Sequence, residues 1–402
     1  MDLYVVGALE DLEAGVYHFS PQDFALRKLR DGDFRSVLAR ASGEEASIAR
    51  ARCVIVCAST FWRNAWKYQS RAYRHCFWDT GTILANLLAA ASARGIPANL
   101  LAGFADASVS RLIGLDTERE APIALVALGK APHAIAAAPL PVEPLQVETM
   151  PLSKTEIDYP AIRAMHEASS LESGAAVKAW RETKATAAQR QKSSADGEDA
   201  GRSFPLQPFN DAALPQDTIE DVIVRRGSTR QFAREPITFA QLSTVLERST
   251  CGIPADFLAT SEPALNHIYL IVHAVEGLAS GAYVFQRDQQ ALELLKEGDF
   301  RREAGFLGLD QDIPADCSVN VYFLADLNRA LARFGNRGYR AAQLEAAIIG
   351  GKIYLAAYAQ RLGASGLTFF DDDVTEFFSP HAAGKSVMFL VALGKSAKKR
   401  IA

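Results

Sequence analysis

A segment near the start of the chain returns 266 residues later. Leu9-Glu-Asp-Leu-Glu-Ala-Gly-Val-Tyr-His-Phe19 is matched by Val275-Glu-Gly-Leu-Ala-Ser-Gly-Ala-Tyr-Val-Phe285, with Gly15 standing opposite Gly281. Asp33-Phe34-Arg35 returns as Asp299-Phe300-Arg301, and Arg71-Ala-Tyr-Arg74 as Arg337-Gly-Tyr-Arg340, at the same 266-residue spacing. Val126-Ala-Leu-Gly-Lys130 returns as Val391-Ala-Leu-Gly-Lys395 at a spacing of 265. Four separated blocks at one spacing mark a duplication, so one structural unit is expected twice.

Each copy carries the same pattern. A strand leads through a Gly-containing turn to a second strand (Val16 to Phe19; Ala282 to Phe285). A further strand (Val54 to Ala58; Val319 to Ala325) precedes a long helix with apolar residues three and four apart, and a last strand follows (Ile123 to Leu128; Val387 to Leu393). Strands and helices mix without regular βαβ alternation, which predicts an α+β fold with a central antiparallel or mixed sheet flanked by helices. The first copy is expected over residues 1–150, a helical segment and linker over 151–216, and the second copy over 217–402. Within the connection, Pro151 to Thr183 reads as partly helical and packed on the first copy. Lys184 to Arg202 has no apolar period and reads as a flexible linker.

Composition excludes several classes. Of 402 residues, 49% are hydrophobic and 22% charged, which suits a globular protein with real cores. A net charge of −4 gives no general attraction to nucleic acid or an anionic membrane, so an anionic ligand must be met by a local Arg or Lys cluster. The most apolar helical stretch, Phe77 to Ala93, is interrupted by Asp79 and Asn86 and falls short of the roughly 20 residues of a membrane span. It reads as a buried core helix. Asp2-Leu-Tyr-Val-Val-Gly7 reads as a strand rather than a signal peptide, and a cytoplasmic location is expected. The five cysteines (Cys53, Cys57, Cys76, Cys251, Cys317) lack metal-ligand spacing and read as buried thiols in a reducing compartment.

Two segments carry chemistry. Arg225-Arg-Gly-Ser-Thr-Arg-Gln-Phe232 puts three Arg and a Ser within six residues, just ahead of a helix. Guanidinium groups give bidentate, charged hydrogen bonds and the hydroxyl adds a donor, which suits a phosphate. A solvated basic turn is the alternative. In the first copy, Trp66-Lys-Tyr-Gln-Ser-Arg-Ala-Tyr-Arg74 sets Lys67 beside Tyr68. An ammonium beside a phenol favours the charged phenolate, a useful proton acceptor. The alternative is a helix-start pair with Lys in water and Tyr half buried. The counterparts in the second copy are Arg333 and Phe334, and Phe334 has no titratable group.

Arg226-Gly-Ser228-Thr-Arg230, with Phe232 soon after, resembles the opening signature of the nitroreductase superfamily, and within it the SagB-type dehydrogenases, which include the oxidases of azole-containing peptides. Gly95 to Gly103 with Phe104 and Asp106, and Gly363 to Asp373, resemble the loop after that family's long helix; the likeness covers most of residues 2–130 and 217–396. The resemblance implies that Arg226, Ser228 and Arg230 hold the phosphate and ribityl chain of FMN. It implies that Thr368, Phe369 and Phe370 face the flavin ring, with Lys395 as a lesser phosphate contact. A Lys-Tyr pair ahead of Arg-x-Tyr-Arg is characteristic of the azoline-oxidising branch, which implies a catalytic role for Lys67 and Tyr68. Family folds are dimers with flavins at the interface, so two fused copies imply an internal pseudo-dimer. The resemblance also implies a Ser/Gly-rich loop before the first matched strand. Thr260-Ser261-Glu262-Pro263 is its poor counterpart in the second copy, and the first copy has none.

The two copies are therefore complementary. The first lacks the phosphate-binding start and keeps Lys-Tyr; the second keeps that start and lacks Lys-Tyr. One composite site is expected, acting on a small molecule or peptide, with a peptide-cyclising enzyme as a possible complex partner. Reduction of nitro compounds or quinones with NAD(P)H stays open, as does a non-catalytic, complex-stabilising subunit. His75 and His381 read as structural, and Gly350-Gly351 in the second long helix points to close packing there. Gly-x-Gly-x-x-Gly, P-loop, His-Glu-x-x-His and nucleophile-elbow motifs are absent from the sequence.

Overall fold

Near-continuous runs of β-branched and aromatic residues set the central strands, because a strand covered on both faces needs apolar side chains on both. The computed structural model describes the chain except residues 10, 134, 136, 138–140, 146, 148–151, 189–201, 260–263 and 398–402. The first copy contains β1 (Asp2–Leu9), β2 (Leu12–Ser20), β3 (Ala25–Asp31), α1 (Arg35–Ala41), α2 (Ala46–Arg50), β4 (Cys53–Thr60), α3 (Trp62–Tyr68), the long α4 (Ala72–Ala93), β5 (Ala98–Leu101), α5 (Asp106–Ile113) and β6 (Glu120–Leu128). The connecting segment supplies α6 (Pro160–Ala168) and α7 (Gly174–Ala188). The second copy contains β7 (Ser203–Pro205), α8 (Ile219–Arg225), β8 (Ile237–Thr238), α9 (Phe239–Thr250), β9 (Asn266–Val272), β10 (Val275–Glu276), β11 (Gly281–Gln286), β12 (Ala291–Glu297), α10 (Arg301–Leu307) and α11 (Asp312–Asp316). It continues through β13 (Val319–Ala325), α12 (Leu327–Phe334), the long α13 (Arg337–Ala359), β14 (Gly363–Leu367), α14 (Asp371–Phe377) and β15 (Ser386–Gly394).

The sheets repeat each other strand for strand. The first has the order β3-β2-β1-β4-β6-β5, and the second β14-β15-β13-β9-β11-β12-β7, which is the same order with β7 added at one edge. The pairs within both are antiparallel. Register repeats as well: Val56 stands opposite Leu125 as Tyr322 stands opposite Leu390. In the first copy the outer strand β3 carries Arg27, Lys28 and Arg30, charges that discourage further strand pairing. In the second copy β7 covers the matching edge. The duplication read from the sequence is thus a duplication of fold.

The long helices join the copies. Gly81 of α4 faces Ala347 of α13, and a Cβ on Gly351 of α13 would lie 2.6 Å from the Cβ of Ala85 on α4. Each glycine therefore meets its own repeat counterpart, which places a pseudo-twofold axis at the crossing. The close approach explains Gly351, while Gly350 is pressed against Phe389 and Val391 of its own copy. Trp78 of α4 is buried in the second copy's core, donating its indole N–H to Gln343 Oε1 at 2.8 Å. Leu344 and Ile348 of α13 enter the first copy's core in exchange. α13 is buried along most of its length, whereas α4 buries chiefly its first half and leaves Asp79, Ser92 and Ala93 exposed. The internal pseudo-dimer is the observed architecture.

The connecting segment packs on the first copy, with Arg181 of α7 paired to Glu45 at 3.2 Å and bonded to Ser42 O at 2.5 Å. Helix α7 runs on to Ala188, so the start of the stretch expected to be a flexible linker, Lys184 to Ala188, is helical instead; residues 189–201 of that stretch lie outside the described residues. Four of the five cysteines are buried free thiols; Cys251 is exposed, because it follows α9 where the chain leaves the core. Among the described residues no helix is long and apolar enough to cross a membrane.

Candidate active site between the two copies

The repeated Arg-x-Tyr-Arg blocks begin the long helices, and each clamps the other copy. Arg71 bonds Asp371 Oδ2 at 2.5 Å and Phe369 O at 2.9 Å, and Arg74 pairs with Asp371 Oδ1. In mirror fashion Arg337 and Arg340 bond the two oxygens of Asp106, each at 2.6 Å. Asp106 and Asp371 are 265 residues apart and are themselves counterparts. Each clamp holds a loop of one copy against a helix start of the other, and so builds one of two equivalent clefts.

At the first cleft, α3 ends in Lys67 and Tyr68, and the chain then turns through Gln69 with φ 52° and ψ −137°. The second copy places Gly335 at the matching turn, with φ 57° and ψ −158°. This backbone region belongs to glycine, so Gln69 carries strain of about 1–3 kcal/mol, next to the Lys-Tyr pair. Lys67 Nζ lies 5.0 Å from the centroid of the half-buried Tyr68 ring. The other partner of Tyr68 is His75, stacked at 4.0 Å with an 18° interplanar angle. His75 touches Trp78 at 4.6 Å, and Trp78 meets Phe369 of the second copy at 5.8 Å. Burial, then the charges of Arg71, Arg74 and Lys67, bring His75 down to about 4, so it is neutral at neutral pH. Its Nε2 is buried without a partner among the described residues.

The second copy's share follows from Phe369. Thr368 and Phe370 flank it and are partly exposed. Just upstream, Tyr354 of α13 bonds the Gly366 N–H, and its hydroxyl lies 3.4 Å from Ser228 Oγ. Arg226 lies 5.7 Å from the centroid of the Tyr354 ring. Thr229 N donates to Ala364 O at 2.9 Å, fixing the Arg-rich segment against β14. Arg230 and Ser228 are exposed. Arg226 and Ser228 are thus brought together around Tyr354, which also holds Gly366 just ahead of the Thr368–Phe370 loop, and Tyr68 reaches that loop through His75 and Trp78. Lys395 is turned toward Glu235, 3.5 Å away. His381 is bonded to the Tyr269 hydroxyl at 2.9 Å within the second copy. Tyr354 and Tyr358, spaced i and i+4 on the site-facing side of α13, were the legible signal that sequence reasoning passed over. The segment Thr260 to Pro263 lies outside the described residues.

The second cleft is closed. The guanidinium of Arg337 is 1% exposed and the Asp106 carboxylate 7%. Burial alone would raise the Asp106 carboxyl, but Arg337 and Arg340, with His166, hold it well below the usual carboxylate range. The connecting segment seals it: Ser169 Oγ accepts from Arg340 at 2.7 Å and Leu171 N donates to Asp106 at 3.0 Å.

The fold and the clefts define a fused two-copy α+β protein whose two clefts lie between the copies. The model of the nitroreductase family matches residues 4–130 and 223–395, and the chain belongs to that family. The two matched segments coincide with the two copies. A candidate nitroreductase from Methanocaldococcus jannaschii, MJ1384, is 25% identical over 167 residues, 39% of this chain and 82% of that protein. The microcin B17-processing protein McbC of Escherichia coli is 27% identical over 117 residues, 28% of this chain and 43% of McbC. In architecture, the crystal structure of a candidate nitroreductase from Anabaena variabilis superposes with a TM-score of 0.77 at 24% identity, covering 98% of this chain and 80% of that one.

Proposed function

We propose that the chain is an FMN-dependent oxidoreductase with one composite active site. The observation that carries this reading is a run of contacts that crosses from one copy to the other. The phosphate-type segment of the second copy and the Lys67–Tyr68 pair of the first are linked through Tyr354, the Gly366–Phe369 loop, Trp78 and His75. Polar atoms left over in that region suit a bound anion and a polar ring. Arg226 Nε and Ser365 Oγ are buried without hydrogen-bond partners among the described residues, and such groups ordinarily find one. We assign Arg226, Ser228 and Arg230 to the phosphate and ribityl chain, Thr368, Phe369 and Phe370 to the ring, and Lys395 to a lesser phosphate contact. When bound, FMN supplies the hydride chemistry, and the protein supplies cradle, orientation and electrostatics.

Tyr68 is the group we assign to take a proton from substrate, with Lys67 as the charge beside it. Similarity to a microcin B17-processing protein supports a modified peptide as substrate. The oxidation we assign would convert a thiazoline or oxazoline ring to the azole, Tyr68 taking the proton; FMN, when bound, would supply the hydride acceptor and dioxygen the final oxidant. A peptide-cyclising enzyme would then work beside this chain, in the cytoplasm. Similarity to MJ1384 favours a second reading, reduction of a nitro compound or quinone by diffusing NAD(P)H; consumption of NAD(P)H would select it.

Two substitutions test the division of labour. Arg230→Ala removes charged hydrogen bonds, each of about 1.5–3 kcal/mol, and should lose FMN. Tyr68→Phe keeps the ring and its stack, so FMN should stay while turnover falls by about 10²–10⁴-fold. Lys67→Ala should follow Tyr68→Phe. A Tyr68→Phe variant fully active on the true substrate would remove the pair from the mechanism.

A further inference from the structure

Repeat symmetry defines what the closed cleft ought to contain. Its loop residues Ala102, Gly103 and Phe104 are the counterparts of Leu367, Thr368 and Phe369, and its Phe334 is the counterpart of Tyr68. In the proposed working cleft that loop faces the flavin ring. In the closed cleft it faces two side chains from elsewhere in the chain. Asp256, from the loop after α9, accepts hydrogen bonds from Ala102 N at 2.8 Å and Gly103 N at 3.0 Å. Trp180 of α7 packs on the Phe334 ring at 5.3 Å and donates its indole N–H to Phe334 O at 3.0 Å. A Cβ on Gly103 would come within 2.6 Å of the Trp180 ring and 2.8 Å of the Asp256 carboxylate, so the loop is fitted to both. Trp180 is 6% exposed and Asp256 8%.

We infer that the closed cleft is a second flat-ring site filled from within the chain, with the Trp180 ring in the place of a flavin-class heteroaromatic ring and the Asp256 carboxylate in the place of its acceptor edge. The inference rests on the composite-site reading for what the open cleft holds, but its geometry stands on this cleft alone. The two fillers do what a ligand would do. A planar ring covers the aromatic wall, and an acceptor satisfies two backbone N–H groups that would otherwise be buried unpaired. Neither side chain belongs to the repeated blocks, so the plug arose outside the duplicated pattern.

The test uses the full chain and lumiflavin, a flavin ring without the ribityl phosphate, so that binding does not depend on Arg226, Ser228 and Arg230. The chain is first saturated with FMN, then dialysed to equilibrium against lumiflavin. Wild type and Trp180→Phe, which keeps a ring in the cleft, should take up none. Trp180→Gly combined with Asp256→Asn should take up one equivalent. If that double variant is unfolded by itself, lumiflavin should restore its fold, since a ligand of the native state stabilises it. A folded double variant that ignores lumiflavin, an unfolded one that is not rescued, or a wild type that binds a full equivalent overturns the inference. A wild-type chain that holds no FMN defeats the functional reading instead, and leaves these lumiflavin results to be judged separately.

Discussion

At one end of the paired helices Arg71 and Arg74 grip Asp371 with side chains 24–32% exposed; at the other, Arg337 and Arg340 grip Asp106 with side chains 1–7% exposed. The clamps are the same residues in the same geometry, one repeat apart. What differs is the surroundings. The Asp371 clamp lies beside Lys67, Tyr68 and the strained Gln69, whereas the Asp106 clamp lies under α6 and the plug of Trp180 and Asp256. A fused pair can thus turn one of two equivalent clefts into core and leave the other open, which a dimer of identical chains cannot do.

The contrast is sharpest in stability. Asp106→Ala would leave two buried guanidinium groups without a counter-charge, and should cost about 3–5 kcal/mol, seen as a large fall in the urea midpoint. Asp371→Ala removes the equivalent group from a half-open site, where solvent screening reduces the loss to about 1 kcal/mol or less. Equal losses would mean that the two ends are not differently buried.

Acid should act more gently, and through buried histidines. Burial, then the charge of Arg340, sets His166 at about 4, against an ordinary value of 6.5. Between those values the unfolded chain takes up the proton and the folded chain does not, so stability falls as pH drops from about 6.5 towards 4 and is level above that window. His75 contributes in the same direction from the open end. Urea midpoints at several pH values should slope less for His166→Asn than for wild type. Identical slopes would remove His166 from the seal.

Much of the fold was legible because duplication prints itself: the strands and the long helix of each copy follow from repeated blocks, the joining of the copies was implied by the family resemblance, and the strand order was not legible because pairing across a sheet leaves no mark in a linear pattern. The Arg-x-Tyr-Arg blocks were legible as a motif but not as clamps. Their partners, Asp106 and Asp371, recur at the repeat spacing, yet each acts on the other copy, and a linear reading does not show that exchange. Tyr354 could have been found from its helical spacing with Tyr358. The plug could not. Trp180 reaches Phe334 across 154 residues of sequence, from a segment read only as packing on the first copy. The exposure of Cys251 was missed for a related reason, since composition says nothing of where one residue leaves the core.

The central claim is that one cleft works and its twin is filled, and counting flavin tests it most directly. Cofactor released by acid from purified chain and quantified by chromatography should be FMN, at about one per chain, because we assign Arg226, Ser228 and Arg230 to the first cleft, while Trp180 and Asp256 fill the second. Two flavins per chain, or FAD as the main species, would contradict the account.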